Sequence, residues 1–405
     1  VQLDFDQIDA VCDALNVLSR RVSLTALPLE LAKAKGFDPE HRKLGLEVFL
    51  GRRKVASYIP ELAMGYFTQR GLEQRTHPQI AAHHARFFAS TDTVLEVGCG
   101  LGFDTMHLAR QAHAVVSLDI DPVHVAFATR NLALTGSSNV TILEMSYEQY
   151  LASSASYGCT ALWADPMRRS HDGTRTKVAE EFSPSLSLLM STSLMPTVMK
   201  INPTNKASYP GWHAQWIGFQ KECKEKLLIK SGADTSHLPT VCLLDTATDI
   251  FTDAFVHESN PHLTQIPELP CVCLEPHAAL LAAECSDQYF AAAGCAVLPK
   301  PGKLGVCSVE HYQEHRHRLE RVAEAFLIDA IEPYRLANLK KLFAARGWDS
   351  RTELKKANFQ EEPEQLRKQL GLTTRRPDED VPHGVAIFTS FYDKKIVCLG
   401  TRMTP

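Results

Sequence analysis

A doubly wound α/β core, preceded by a helical domain and followed by an α+β domain, is the fold class that this sequence predicts. Three observations carry it. Apolar residues recur at three- and four-residue spacing from Asp6 to about Phe88, short apolar runs alternate with helix-like stretches from Thr91, and the pattern restarts in a different order after Pro270. A length of 405 residues with 44% hydrophobic content supplies apolar material for two or three domains. The balance of 43 Lys+Arg against 47 Asp+Glu excludes wholesale disorder and a uniformly basic nucleic-acid coat.

The first domain, 1–90, reads as all-α from IDAVCDALNVLSRRV, LPLELAKAKG and IAAHHARFF. The second, 91–268, begins with TDTVLEVGCG, an apolar run ending in glycines, then the helix-like FDTMHLARQA and a second run, HAVVSLDID. Strand, glycine-rich turn, helix, strand is a βαβ unit and implies a parallel sheet. NVTILEM, CTALWADP and TVMKIN continue it to five strands. HAQWIGFQ and PTVCLLDTA are expected to be the last two strands, and ECKEKLLIKSG between them a helix. The third domain, 269–405, reads as the strand CVCLE, one Pro-initiated helix over PHAALLAAECSDQYFAAAG, the strand AEAFLIDAI, the helix EPYRLANLKKLFAARG, the strand SRTELKKAN, the helix EEPEQLRKQLG and a closing hairpin.

Eleven cysteines, scattered singly apart from Cys271 and Cys273, argue against a disulfide framework and for a reducing, cytoplasmic setting. No apolar run approaches the ~18 residues of a membrane span, so no membrane partner is expected. The start VQLDFDQIDA is polar and unlike a signal peptide, while its opening on Val1 leaves a trimmed leader open. His311, His315 and His317 lie beside Arg316 and Arg318 and lack a completing carboxylate, so no metal site is expected.

Chemistry concentrates in two places. The first is Glu96-Val97-Gly98-Cys99-Gly100-Leu101-Gly102, between a strand and a helix, with Asp119 ending the next strand. A glycine turn lets the backbone approach a ligand closely, and an acid at the second strand tip can accept both ribose hydroxyls. The glycines are spaced G-x-G-x-G rather than G-x-G-x-x-G, which suits a ligand without a pyrophosphate. The second is Trp163-Ala164-Asp165-Pro166-Met167-Arg168-Arg169, at the carboxyl end of the fourth strand, where open α/β sheets place their ligand crevice.

These residues resemble motifs I and IV of the class I S-adenosylmethionine-dependent methyltransferases, whose core is Rossmann-like and seven-stranded. Asp-Pro-x-Arg-Arg narrows the resemblance to a family with a C-terminal THUMP-like domain. YFTQRGLEQRTHPQIAAHHARFF, FSPSLSLL, WIGFQKECKE, CLEPHAALLAAE and the tail LKKLFAARGW…EEPEQLRKQLGL are similar to it in the same order. Two positions depart: Ser146 stands where an adenine-reading acid is common, and Gln215 stands where an acid precedes Trp216.

The resemblance implies an S-adenosylmethionine-dependent enzyme of RNA modification acting on tRNA or rRNA, with methyl transfer to a base nitrogen. Glu96, Gly98, Cys99, Gly100 and Gly102 would seat the cofactor together with Asp119, Ile120 and Ser146. Asp165 and Pro166 would hold the target, and Arg168 and Arg169 would steer phosphate. A local excess of cations that includes Lys340, Lys341, Lys355, Lys356, Arg367 and Lys368 points independently to RNA binding. The rival readings are a small-molecule or protein methyltransferase and a non-catalytic RNA-binding or assembly protein. The oligomeric state is not legible.

Overall fold

The computed structural model describes residues 3–34, 36–154, 157–167, 181–251, 262–299, 303–357, 359–373 and 384–403. The chain divides into two compact units, Val1–His213 with Leu227–Thr235, and Ala214–Lys226 with Ser236–Pro405.

In the first unit, α1 (Phe5–Leu18), α2 (Leu27–Lys33), α3 (Pro39–Val55), α4 (Gln69–Gln74) and α5 (Pro78–Ala85) precede the sheet. Caps read in the chemistry of their first residues. Asp4 and Asp38 accept N–H groups at the starts of α1 and α3, and Pro39 and Pro78 open their helices. Then β1 (Thr93–Val97), α6 (Phe103–Gln111), β2 (Ala114–Asp119), α7 (Pro122–Leu134), β3 (Val140–Glu144), α8 (Tyr147–Ala152), β4 (Ala161–Ala164), α9 (Leu186–Met190) and β5 (Thr197–Ile201) alternate. The strands run parallel in the order β3-β2-β1-β4-β5, so the chain reverses direction across the sheet between β1 and β4. The helices ahead of β1 share one apolar core with α6 and α7, through Ile8, Val11, Phe49, Phe67, Met106 and Phe127.

The second unit opens with β6 (His213–Phe219) and the start of β7 (Glu222–Lys230), joined by a tight turn with positive φ at Gln220 and Lys221. ECKEKLLIKSG is therefore strand, not helix: Glu225 through Ile229 are all buried. β8 (Val241–Leu243) and β9 (Thr248–Ile250) follow. A seven-stranded sheet is then built from β10 (Cys271–Pro276), β11 (Ala296–Val297), β12 (Gly305–Ser308), β13 (Ala323–Pro333), β14 (Glu353–Lys356), β15 (Gly384–Phe391) and β16 (Lys394–Arg402), in the order β11-β12-β10-β13-β16-β15-β14. Its helices are α10 (Ala278–Ala282), α11 (Ser286–Ala292), α12 (Val309–Leu319), α13 (Leu336–Ala345) and α14 (Pro363–Leu370). The single helix expected over PHAALLAAECSDQYFAAAG is two, because Glu284 takes a positive φ and Cys285 begins a new helix.

Candidate active site

The turn after β1 uses its glycines for different reasons. Gly98 has φ +88°, and a Cβ there would lie 2.8 Å from the main-chain oxygen of Asp165. Gly100 has φ +52° with open space around it, and Gly102 has φ +85° where it starts α6. Gly98 and Cys99 N–H both donate to the carbonyl of Leu118, at 2.9 and 3.1 Å, tying the turn to β2. At the tip of β2, Asp119 accepts Gly100 N–H on Oδ2 (2.8 Å) and Asp121 N–H on Oδ1 (2.9 Å). Each carboxylate oxygen keeps a further lone pair, so two hydroxyls of a ligand can still be accepted. Ile120 next to it is 55% exposed, an apolar surface beside the acid.

Glu96 lies beneath this turn and is wholly buried, with Oε2 accepting the hydroxyls of Thr105 (2.6 Å) and Ser117 (2.5 Å). Burial pushes its carboxyl up to about 8 against those two hydrogen bonds. It therefore supports the turn from below, through Thr105 of α6 and Ser117 of β2. Cys99 is likewise buried, and burial first, then Glu96 and Asp119, hold its thiol well above the usual range. Ser146 caps α8: its Oγ accepts Gln149 N–H while Gln149 Oε1 accepts Ser146 N–H.

The segment from Thr68 to His84 braces the same turn. Gly71 lets α4 close on Leu101, where a Cβ would come within 2.5 Å. Thr76 Oγ1 donates to Asp104 Oδ2 (2.6 Å), and His84 Nδ1 lies 2.8 Å from Asp104 Oδ1. The His84 ring stacks on Trp163 of β4 at 4.2 Å. Burial raises the Asp104 carboxyl, but His84, Lys200 and Thr76 together more than offset it and leave it below its ordinary value. Neither Asp104 nor His84 belonged to a sequence motif; only His84 lay in a segment similar to the family, IAAHHARFF.

Asp165 follows β4. Its N–H donates to Val97 O (3.0 Å), its own carbonyl abuts Gly98, and its Oδ2 accepts Lys200 Nζ at 2.8 Å. Lys200 sits on β5 with a side chain 8% exposed, against 23% for Asp165. The glycine turn and the expected target-holding acid are thus in contact, and Lys200, which sequence reasoning missed, fixes the acid. Pro166 is buried, and Met167 bridges to Ser183. Arg168 and Arg169 lie outside the described residues.

The basic residues of the second unit divide. Lys340, Lys341 and Lys368 are exposed on α13 and α14. Lys355 is not an open cation: its ammonium bonds Glu275 and Glu324 (2.8 Å for the latter) and lies 3.6 Å from Glu353. Lys356 pairs with Glu362 at 2.5 Å, and Arg367 donates to the carbonyls of Ser350 and Thr352. Charge counting along the sequence overlooked the acids that other strands bring to these positions.

Residues 94–187 match the family model of a methyltransferase domain, and residues 323–402 match that of a THUMP domain-like domain. An S-adenosylmethionine-dependent methyltransferase of Mycobacterium tuberculosis, itself uncharacterized, is 35% identical over 97 residues, 22% of this chain and 27% of that protein. A tRNA/tmRNA (uracil-C(5))-methyltransferase of Yersinia pestis is 26% identical over 173 residues, 37% of this chain and 47% of that protein. The chain thus spans less than half the length of these curated relatives. The crystal structure of a candidate methyltransferase from Porphyromonas gingivalis W83 shares the fold, with a TM-score of 0.74 at 19% identity over 100% of both chains.

Proposed function

From the premise that this chain carries a methyltransferase domain and a THUMP-like domain, we propose that it is an enzyme that transfers a methyl group from S-adenosylmethionine to a nitrogen of an RNA base. The observation that carries the reading is the contact between the glycine turn and Asp165: the main chain of one abuts the other, and Lys200 holds the carboxylate there.

The residues fit the cofactor. Gly100 leaves open space at the turn, Asp119 can accept ribose hydroxyls, and Ile120 offers an apolar face beside them. When bound, S-adenosylmethionine supplies an electrophilic methyl group on a sulfonium. Asp165 would accept an N–H of the target amine, orient its lone pair and take up the proton released. Lys200 fixes the Asp165 rotamer before the target arrives, so the work is mostly positioning.

RNA as acceptor is supported by the THUMP-like match and by the tRNA/tmRNA-methylating relative. Nitrogen is favoured over pyrimidine C5 because the C5 reaction needs an activated thiol. The cysteines of the first unit, Cys12, Cys99 and Cys159, are all held above their ordinary values by burial, Cys12 at about 11. The test is a mass-spectrometric comparison of modified nucleosides in total RNA from cells with and without the gene. One N-methylated nucleoside should disappear with the gene, and an unchanged profile would overturn the reading.

A further inference from the structure

In the second unit a pocket of about 330 Å³ opens beside the end of β9, α11 and the last turn of α12. Its volume falls within the range of small-ligand sites. Its apolar lining comes from Ile250, the Tyr289 ring and Phe251, which is 41% exposed. Arg318 and Arg321 line it as well. Arg321 donates through Nη2 to Thr246 O (2.8 Å) and Ala247 O (3.3 Å), neutral acceptors that aim the guanidinium without cancelling its charge. Arg318 lies 5.5 Å over the Tyr289 ring. Among the described residues neither guanidinium is ion-paired, whereas nearby Glu320 is already taken by Arg316 and Tyr312. Among the described lining residues Asp249 is the one carboxylate, and it is exposed.

We infer that this pocket holds one nucleotide of a single-stranded RNA, with its base on Phe251 and its phosphate on Arg318 and Arg321. The inference rests on the reading that the acceptor is RNA. Aromatic platforms beside guanidinium groups bind single strands because every base has a π-face and every nucleotide a phosphate. Asp249 is placed to accept a base amine or a 2′-hydroxyl at the pocket's edge. All eight described lining residues precede the stretch matched as THUMP-like, 323–402.

The experiment uses the full chain and a fluorescent single-stranded RNA of about twelve nucleotides of mixed sequence, within the usual range of single-strand site sizes. Anisotropy is read across a salt series. Arg318→Gln should weaken binding at least about fivefold and lower the salt slope by about 0.7. Phe251→Leu should weaken it at least about fivefold with the slope unchanged. Both variants should melt like the unmodified chain. If the unmodified chain binds this RNA and both variants bind it equally well, the pocket assignment falls and the RNA reading stands. If the unmodified chain does not bind RNA, the RNA reading falls and takes the pocket assignment with it. Tight binding of free adenosine monophosphate without RNA binding would make this a mononucleotide site and overturn the assignment.

Discussion

Asp119 ends β2 and Asp165 follows β4, on either side of β1, and their oxygens meet main-chain N–H groups, the His124 imidazole at 3.8 Å and a single lysine. In the seven-stranded sheet of the other unit, Glu324 meets Lys221, Lys355 and Arg402, and Arg402 also meets Glu353. Burial raises the Glu324 carboxyl, but its three cations outweigh that and hold it far below the usual carboxylate range. The first arrangement leaves acceptor capacity at strand tips; the second consumes charge in a lattice of ion pairs. Sequence position at the end of a strand therefore identifies a site better than charge density does.

The largest effect should come from the tight contact that joins turn and acid. Gly98→Ala adds a methyl group 2.8 Å from a main-chain oxygen at φ +88°, and should cost roughly 2–4 kcal/mol in urea unfolding. Gly100→Ala, with nothing within 4 Å, should cost only the backbone strain of about 1–2 kcal/mol. Equal losses at the two positions would deny that the turn and Asp165 are held in contact.

Lys355→Met breaks the comparison from the other side. It leaves Glu275, Glu324 and Glu353 without their shared ammonium, and should lower stability by about 1–3 kcal/mol. The pair Lys340→Gln and Lys341→Gln, on exposed helix surface, should stay within about 0.5 kcal/mol of the unmodified chain. If Lys355→Met were equally silent in thermal melting, the ion-pair lattice would contribute nothing.

Asp119→Ala should weaken S-adenosylmethionine binding at least about tenfold in calorimetry of the folded variant, because charge-assisted bonds to hydroxyls are worth about 1.5–3 kcal/mol. Glu96 sharpens the contrast between a half-buried acid and a wholly buried one. Its folded value, raised to about 8 by burial, lies above its unfolded value. Its contribution to stability is thus complete below the unfolded value and is lost as pH rises through about 8, with a slope of at most about 1.4 kcal/mol per pH unit. Glu96→Gln should flatten unfolding free energy between pH 5 and pH 8 relative to the unmodified chain, and an unchanged slope would place the titrating group elsewhere.

The parallel core was legible because its inner strands β1, β2 and β4, buried on both faces, read as short apolar runs with glycines or acids at their ends. β7 was not, since Glu225 and Lys226 are buried despite their charge and gave the run a helical look. The glycine turn, Asp119 and Asp165 could be found from spacing, whereas Lys200, Asp104 and His84 come from separate elements and meet only in three dimensions. Lys355 shows the same limit in reverse: the two acids that its ammonium bonds are 31 and 80 residues away.

Transfer of a labelled methyl group from S-adenosylmethionine to total RNA from cells lacking the gene tests the central claim most directly. The unmodified chain should place label in nuclease-sensitive material, and Asp165→Asn should lower turnover at least about 100-fold with cofactor affinity changed less than about threefold. Label that resists nuclease, or equal turnover by Asp165→Asn, would contradict it.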